Sequence, residues 1–178
     1  TGVNCGQVRG PVQLTFARSE DAIMPMDVAI TRIAITKPED AAVMVAEGDD
    51  KGKGGKTTEI GRKAMIPYGL YRCSGFFSPH LATQTGVTET DLKLFWDALV
   101  NMWDFDRSAS RGLMAPRGLY VFSHESKLGN APAHKLFDRI TAKLNKPSEP
   151  PRKFGDYEVS IDEVNMPTGV KLTRLTEG

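Results

Sequence analysis

The chain has 178 residues, of which 40% are hydrophobic and 25% are charged, and its formal net charge is +1 at pH 7. This composition is typical of one soluble globular domain, and the small net charge excludes a globally basic protein that coats any polyanion. The sequence contains no apolar run long enough to cross a bilayer and no secretory leader. We therefore expect a cytoplasmic protein without a membrane partner.

The first predicted element is a strand within Gly6 to Ser19, GQVRGPVQLTFARS. Val12, Leu14 and Phe16 alternate toward one side, a period of two that predicts a half-buried strand. Arg9 and Arg18 stand at its two ends, and the segment contains no acidic residue.

An excursion from the body is predicted next, over residues 20–67. It contains a strand at Ile30 to Thr36 that carries Arg32, and a tip at Gly48 to Thr58 made largely of glycine and lysine. A long aromatic strand, Tyr68 to Phe77, follows it. The tip has nothing to bury and is predicted to be mobile.

The clearest helix runs from Thr88 to Trp103, where Thr88 and Asp91 match a capping box. Its apolar residues recur at helical spacing, so we expect that face to be core. These residues are Leu92, Phe95, Trp96, Leu99, Val100 and Trp103.

The remaining elements are a strand at Gly118 to Ser123, a helix from Asn130 to Leu144 and a terminal hairpin. Asn130 and Pro132 predict the start of the helix, whose polar side would carry Lys135, Arg139 and Lys143. The hairpin is predicted within residues 152–178, with a turn near Pro167 and Gly169.

This order of elements predicts an α+β fold with an antiparallel, ferredoxin-like (RRM-like) sheet and a long insertion. We expect residues 1–178 to form one domain, with 20–67 as the inserted excursion and 152–178 as the hairpin.

Two motifs have competing interpretations. Asp50 to Thr57, DKGKGGKT, nearly spells a phosphate-binding loop, but it lacks the first glycine and room for the following helix, which favours a flexible tip. Arg117 to Phe122, RGLYVF, faintly matches the aromatic signature of RNA-recognition motifs, but the match degrades beyond Gly118, which favours strand packing for Tyr120 and Phe122.

Catalysis and metal binding find little support in the sequence. Ser123, His124 and Glu125 are consecutive, which sends their side chains to opposite faces of a strand. Cys5 and Cys73 are isolated from each other and from histidines at metal-ligand spacing. We therefore expect no catalytic residue, no metal, no cofactor, and cysteines that stay reduced.

Basic residues gather locally although the whole chain is nearly neutral. Between Gly61 and His80 there are three basic residues and no acid, and between Arg107 and Lys127 only Glu125 opposes four basic residues. Guanidinium groups bind phosphate in bidentate fashion and stack on bases, which favours a nucleic-acid groove. The candidate RNA-binding residues are Arg9, Arg18, Arg32, Arg62, Lys63, Arg72, Arg117 and Lys127.

Lys127 to Pro132, KLGNAP, is a second phosphate candidate. It is a glycine-containing loop before a predicted helix N-terminus, and an ordinary helix entry is the alternative interpretation.

Four long blocks carry a resemblance to a known family: GQVRGPVQLTFARS, GRKAMIPYGLYRCSGFFSPHLA, the segment DRSASRGLMAPRGLYVFSHESKLGNAPAHKLFDRI, and YEVSIDEVNMPTGVKLTRL. Over nearly its whole length the chain resembles the Cas7 backbone subunit of type I-C CRISPR Cascade. Members of that family carry a further N-terminal region with the first strand and helix of the core. The resemblance therefore implies that this chain is a C-terminal portion of the subunit.

The resemblance also implies a function. It predicts a non-catalytic protein that binds crRNA, polymerises along it and presents it to target DNA, together with other Cascade subunits. The excursion at 20–67 would be the thumb that reaches over the guide to a neighbouring copy. A stand-alone ferredoxin-like RNA-binding module and a small hydrolase built on the histidines are the alternatives.

Overall fold

The computed structural model describes residues 6–7, 9–32, 59–108 and 112–178. The chain divides into two compact units, one ending at Ala22 and resuming from Tyr68 to Gly178, the other spanning Ile23–Pro67. Small antiparallel strand pairs and short helices make up the described part, which confirms the α+β class. Each described sheet has two strands, so the wider ferredoxin-like sheet stays a prediction.

The first unit opens with two short strand pairs. β1 (Val12–Leu14) pairs with β6 (Gly75–Phe77), and β2 (Arg18–Ser19) pairs with β5 (Tyr71–Arg72). Thr15 N–H donates to the Ser74 carbonyl at 2.8 Å, which joins the two ladders. The long strand predicted at Tyr68 to Phe77 is therefore interrupted, because the pairing register shifts between the two ladders.

The prediction that Val12, Leu14 and Phe16 form one buried face is wrong. Val12 is half-buried, but the side chains of Leu14 and Phe16 are 51% and 97% exposed. Alternation indicates a half-buried strand only when a second layer covers one face. For Phe16, no such layer is present among the described residues.

The second unit contains one antiparallel ladder. β3 (Met26–Arg32) pairs with β4 (Glu59–Met65), from Met26 opposite Met65 to Arg32 opposite Glu59. Its range, Ile23–Pro67, nearly coincides with the excursion predicted at 20–67. The part of the predicted strand beyond Arg32 and the glycine-lysine tip lie outside the described residues, as does Cys5.

Two helices follow in the first unit, α1 (Pro79–Thr85) and α2 (Glu89–Asn101), and a 3-10 turn at Met102–Asp104 extends α2. The predicted capping box is confirmed: Asp91 N–H donates to Thr88 Oγ1 at 3.3 Å, and Thr88 N–H donates to Asp91 Oδ2 at 2.9 Å. The apolar face of α2 was expected to lie in the core, but it is less buried than predicted, because none of the residues of α2 is fully buried.

The second predicted helix is mostly wrong. α3 covers only Ala133–Phe137, and β8 (Ile140–Leu144) replaces its second half. Ile140 and Thr141 are β-branched and pair with β9 (Tyr157–Ile161), so strand pairing overrides the helical spacing. The predicted basic stripe of Lys135, Arg139 and Lys143 is therefore not a helix face.

The terminal strands are present, but they do not pair with each other as a hairpin. β9 pairs with β8, and β10 (Val170–Glu177) pairs with β7 (Gly118–His124). The loop between β8 and β9 explains the first pairing, since Asp156 Oδ2 accepts the N–H groups of Arg152 and Lys153 at 2.8 and 3.1 Å. This local network closes β8 onto β9.

Among the described residues, only Ala82, Leu136 and Tyr157 are fully buried. Tyr157 makes an aromatic contact, and Phe137, the neighbour of Leu136 in the sequence, makes another. The Phe76 and Phe137 rings meet edge to face at 5.6 Å, and the Tyr68 and Tyr157 centroids are 6.4 Å apart. None of the described helices has both the length and the apolar character needed to span a bilayer.

Candidate nucleic-acid interface

Two candidate arginines lie directly opposite each other in the β2–β5 ladder. Arg18 and Arg72 are Cα partners, so their side chains share one face. Arg72 Nε lies 3.2 Å from Glu20 Oε1, and Arg72 Nη2 also donates to the Ile140 carbonyl. Arg18 is exposed and has no charged partner among the described residues. The ladder thus separates a structural arginine from an available one.

Arg9 lies before β1 and is exposed, with no partner in the described part of the chain. Arg9 and Arg18 were predicted at the two ends of one strand, whereas Arg9 lies outside β1 and Arg18 belongs to β2. Neither arginine forms an ion pair with another described residue, so the guanidinium groups of both can bind phosphate.

Three further candidates lie in the second unit. Arg62, on β4, is 82% exposed and lies 3.6 Å from Asp27 Oδ2, whose side chain is 61% exposed. Such an exposed pair contributes little to stability, so Arg62 stays accessible to an anion. Lys63 stands opposite Val28 and is half-buried, and Arg32 stands at the end of β3 opposite Glu59.

Arg117 is held by packing. Its guanidinium carbon lies 5.3 Å from the centroid of the Phe154 ring, and its carbonyl accepts the Gly178 N–H at 3.1 Å. This cation–π contact anchors the residue before β7 and makes its role in part structural.

Lys127 is exposed on a well-built turn between β7 and α3. Asn130 builds that turn: its N–H donates to His124 Nδ1 at 2.9 Å, and its Oδ1 accepts the Ser126 N–H at 2.9 Å. The prediction that Asn130 caps the following helix is wrong, because Pro132 occupies the N-cap position. The helix behind the turn has only five residues, so its N-terminus is not a phosphate site, and Lys127 offers only the charge of its own side chain.

The aromatic side chains of the strands are mainly packed. Burial raises the pKa of the Tyr68 and Tyr120 phenols. The pKa of Tyr157 is raised more strongly, mainly by burial and also by the nearby Asp21 carboxylate. Tyr120 and Phe122 on β7 are half-buried, which supports the packing interpretation over an RNA-recognition signature. Tyr71 and Phe76 are more open, at 45% and 46% exposed.

Sequence reasoning missed Arg139, which organises a neighbouring loop. Its guanidinium, on a side chain only 18% exposed, donates to the carbonyls of Val164 at 2.8 Å and Asn165 at 3.1 Å, and contacts the Asp162 carboxylate at 3.3 Å. The sequence placed Arg139 within a predicted helix, on a basic stripe with Lys135 and Lys143, and that position predicts none of these partners.

A further feature is the surface around His124. Ser123, His124 and Glu125 line a shallow groove with Gly169 and Lys171. His124 Nδ1 already accepts the Asn130 N–H, so that nitrogen cannot take a proton from a serine. No set of three His, Cys, Asp or Glu residues among those described is placed to hold a metal ion.

Comparison with known proteins shows which family this chain belongs to. A search of curated proteins finds no match. The sequence profile of the family CRISPR-associated protein Cas7 matches residues 1–162, most of the chain. The long blocks that carry the resemblance lie largely within that range, and the described fold is of the α+β class. The chain therefore belongs to the Cas7 family of CRISPR-associated proteins.

Proposed function

We propose that this protein is the backbone subunit of a type I-C Cascade complex, which binds crRNA and polymerises along it. Membership of the Cas7 family carries the proposal. The exposed and unpaired Arg9, Arg18 and Lys127 support it, because they offer local positive charge on a body whose net charge is only +1. The protein acts in the cytoplasm on crRNA, target DNA, further copies of itself and other Cascade subunits.

The mechanism is binding without catalysis. Cationic side chains hold the phosphates of the guide in a way that does not depend on base identity. Base pairing between guide and target DNA then supplies sequence specificity, while the protein supplies shape and charge. Exposed charges on two separate ladders, Arg18 in the first unit and Arg62 in the second, suit a polymer of phosphates.

Size-exclusion chromatography with light scattering tests the proposal directly. The protein is run alone and with single-stranded RNAs of increasing length, up to that of a CRISPR repeat and spacer. We expect the mass of the complex to grow in steps of one protomer as the RNA lengthens. A constant ratio of one protein to one RNA at every length would favour the stand-alone RNA-binding module.

Salt dependence tests the phosphate contacts. If each protomer neutralises about three to five phosphates, log affinity should fall with log salt at a slope of about −0.7 per phosphate. Arg9→Ala and Arg18→Ala should each make this slope shallower and weaken binding equally for RNAs of different sequence. A flat salt response in the unmodified protein would contradict a phosphate-binding groove.

A further inference from the structure

Phe16 is the most exposed large apolar side chain of the described residues, at 97%. A single exposed hydrophobic residue is ordinary on a protein surface. Phe16 differs in two respects. Its backbone is fixed, and its exposed neighbour in the sequence carries a positive charge.

The backbone on both sides of Phe16 is pinned. Before it, Thr15 N–H donates to the Ser74 carbonyl at 2.8 Å, and the Thr15 Oγ1 accepts the Ser74 N–H at 3.1 Å. After it, Arg18 joins the β2–β5 ladder. The ring is thus held out into solvent from a fixed main chain with only two side-chain torsions to order, which lowers the entropy cost of binding.

The charge around Phe16 is positive. Arg18, two residues on, is exposed and has no acidic partner in the described part of the chain. Of the nearest acids along the sequence, Glu20 pairs with Arg72, and Asp21 is half-buried beside Tyr157, whose pKa it helps to raise. An aromatic ring beside an unpaired guanidinium matches the chemistry of single-stranded nucleic acid, whose bases stack and whose phosphates carry negative charge.

Phe105 shows the contrast within the same chain. Its side chain is 87% exposed, but Asp104 and Asp106 flank it in the sequence. Arg107, two residues after Phe105, is paired, because its Nη2 lies 3.7 Å from Asp104 Oδ1. The two carboxylates outnumber this arginine and disfavour a phosphate backbone. Exposure alone therefore does not distinguish Phe16, whereas exposure beside a free arginine does.

We propose that Phe16 is a base-stacking residue, on which an unpaired nucleobase of the bound RNA strand lies while Arg18 holds an adjacent phosphate. The inference rests on the proposed RNA-binding function and adds to it a contact with a base face. Because every base has such a face, the contact is compatible with binding that does not depend on sequence.

Fluorescence anisotropy with labelled single-stranded RNA tests this contact in four variants: Phe16→Ala, Phe16→Trp, Arg18→Ala and Phe105→Ala. Stacking of one base on an aromatic ring contributes about 1–3 kcal/mol, so Phe16→Ala should raise Kd about 5- to 150-fold. Phe16→Trp should bind like the unmodified protein, and Phe105→Ala should change nothing. Phe16→Ala should keep the salt slope, whereas Arg18→Ala should make it shallower by about 0.7.

An RNA of the same length with abasic sites separates stacking from a structural effect. It keeps the phosphates but removes the base faces, so Phe16→Ala and the unmodified protein should bind it equally. A loss of affinity that persists on abasic RNA would overturn the stacking role. Urea unfolding of Phe16→Ala checks the fold, which should be unchanged because the side chain is exposed.

The remaining outcomes distinguish the two proposals. If the unmodified protein binds RNA and Phe16→Ala binds it equally well, the stacking inference is wrong and the proposed function stands. If Phe16→Ala binds a short RNA normally but no longer assembles on a long one, Phe16 contacts another copy of the protein and the inference is also wrong. If the unmodified protein binds no RNA, the proposed function itself fails.

Discussion

Arg18 and Arg72 occupy opposite positions of one ladder, yet their guanidinium groups have different surroundings. Arg72 is held by Glu20 and by the Ile140 carbonyl, and Arg18 has neither contact. Residue type and strand position are the same for both. The neighbouring side chains therefore decide which arginine supports the fold and which one can bind a ligand.

We predict that the two alanine variants affect different properties, stability for one and RNA binding for the other. Arg72→Ala should lower the free energy of unfolding by about 1–2 kcal/mol, since it removes a charged hydrogen bond and an ion pair from a partly exposed site. Arg18→Ala should leave stability within about 0.5 kcal/mol and weaken RNA binding. Urea unfolding and RNA anisotropy measure the two effects. Equal stability losses would contradict the different roles.

Gly169 is a position where the backbone conformation and the lack of space favour glycine. Its φ is +76°, and a Cβ there would lie 2.5 Å from Asn130 Nδ2, in the turn that carries Lys127. We predict that Gly169→Ala lowers the free energy of unfolding by about 1–3 kcal/mol. Gly155→Ala is the matched control, since its Cβ would meet nothing within 4 Å, and it should be nearly neutral in the same urea titration.

At the scale of elements, α2 shows how much of a helix local chemistry can specify. Thr88 and Asp91 exchange hydrogen bonds at its N-terminus. We predict that Thr88→Ala lowers the free energy of unfolding by about 1 kcal/mol, because it removes the cap. Thr90→Ala, two residues on and without a cap contact, should be neutral or slightly stabilising. Thermal unfolding followed by circular dichroism compares the two variants.

The same cap predicts a dependence on pH. Hydrogen bonds from Thr88 lower the pKa of Asp91 below its usual value of 3.8, and those from Arg152 and Lys153 lower the pKa of Asp156. A lowered folded-state pKa stabilises the protein above about pH 4, and this contribution is lost as the pH falls further. Asp91→Asn should reduce the loss of stability between pH 4 and pH 2. An unchanged pH profile would contradict the cap.

The helix predicted at Asn130 to Leu144 shows where local signals fail. Its apolar residues recur at helical spacing, but the β-branched residues Ile140 and Thr141 find a partner strand in β9. Asn130, which looks like an N-cap, is used by the preceding turn instead. Both differences arise because a residue with two compatible local roles takes the one that its spatial neighbours satisfy.

At the scale of the whole molecule, only Ala82, Leu136 and Tyr157 are fully buried among the described residues. A ligand that binds the folded state adds to its stability by mass action, whatever the size of the core. We predict that single-stranded RNA raises Tm in a concentration-dependent way, with a gain of about 2.7 kcal/mol at 100 times Kd. The double variant Arg9→Ala/Arg18→Ala is the control and should show a smaller shift. An RNA-independent Tm would contradict binding to the folded state.

The sequence by itself determined the α+β class, the resemblance to the Cas7 family and the start of α2, because composition, long contiguous blocks and capping chemistry act locally. It also located the arginines, but not their surroundings. Only the tertiary structure decided that Arg72 is bonded, that Arg18 is free and that Phe16 lies in solvent. The physical reason is that burial, ion pairing and strand partners depend on residues distant in the chain, which spacing along one segment does not encode.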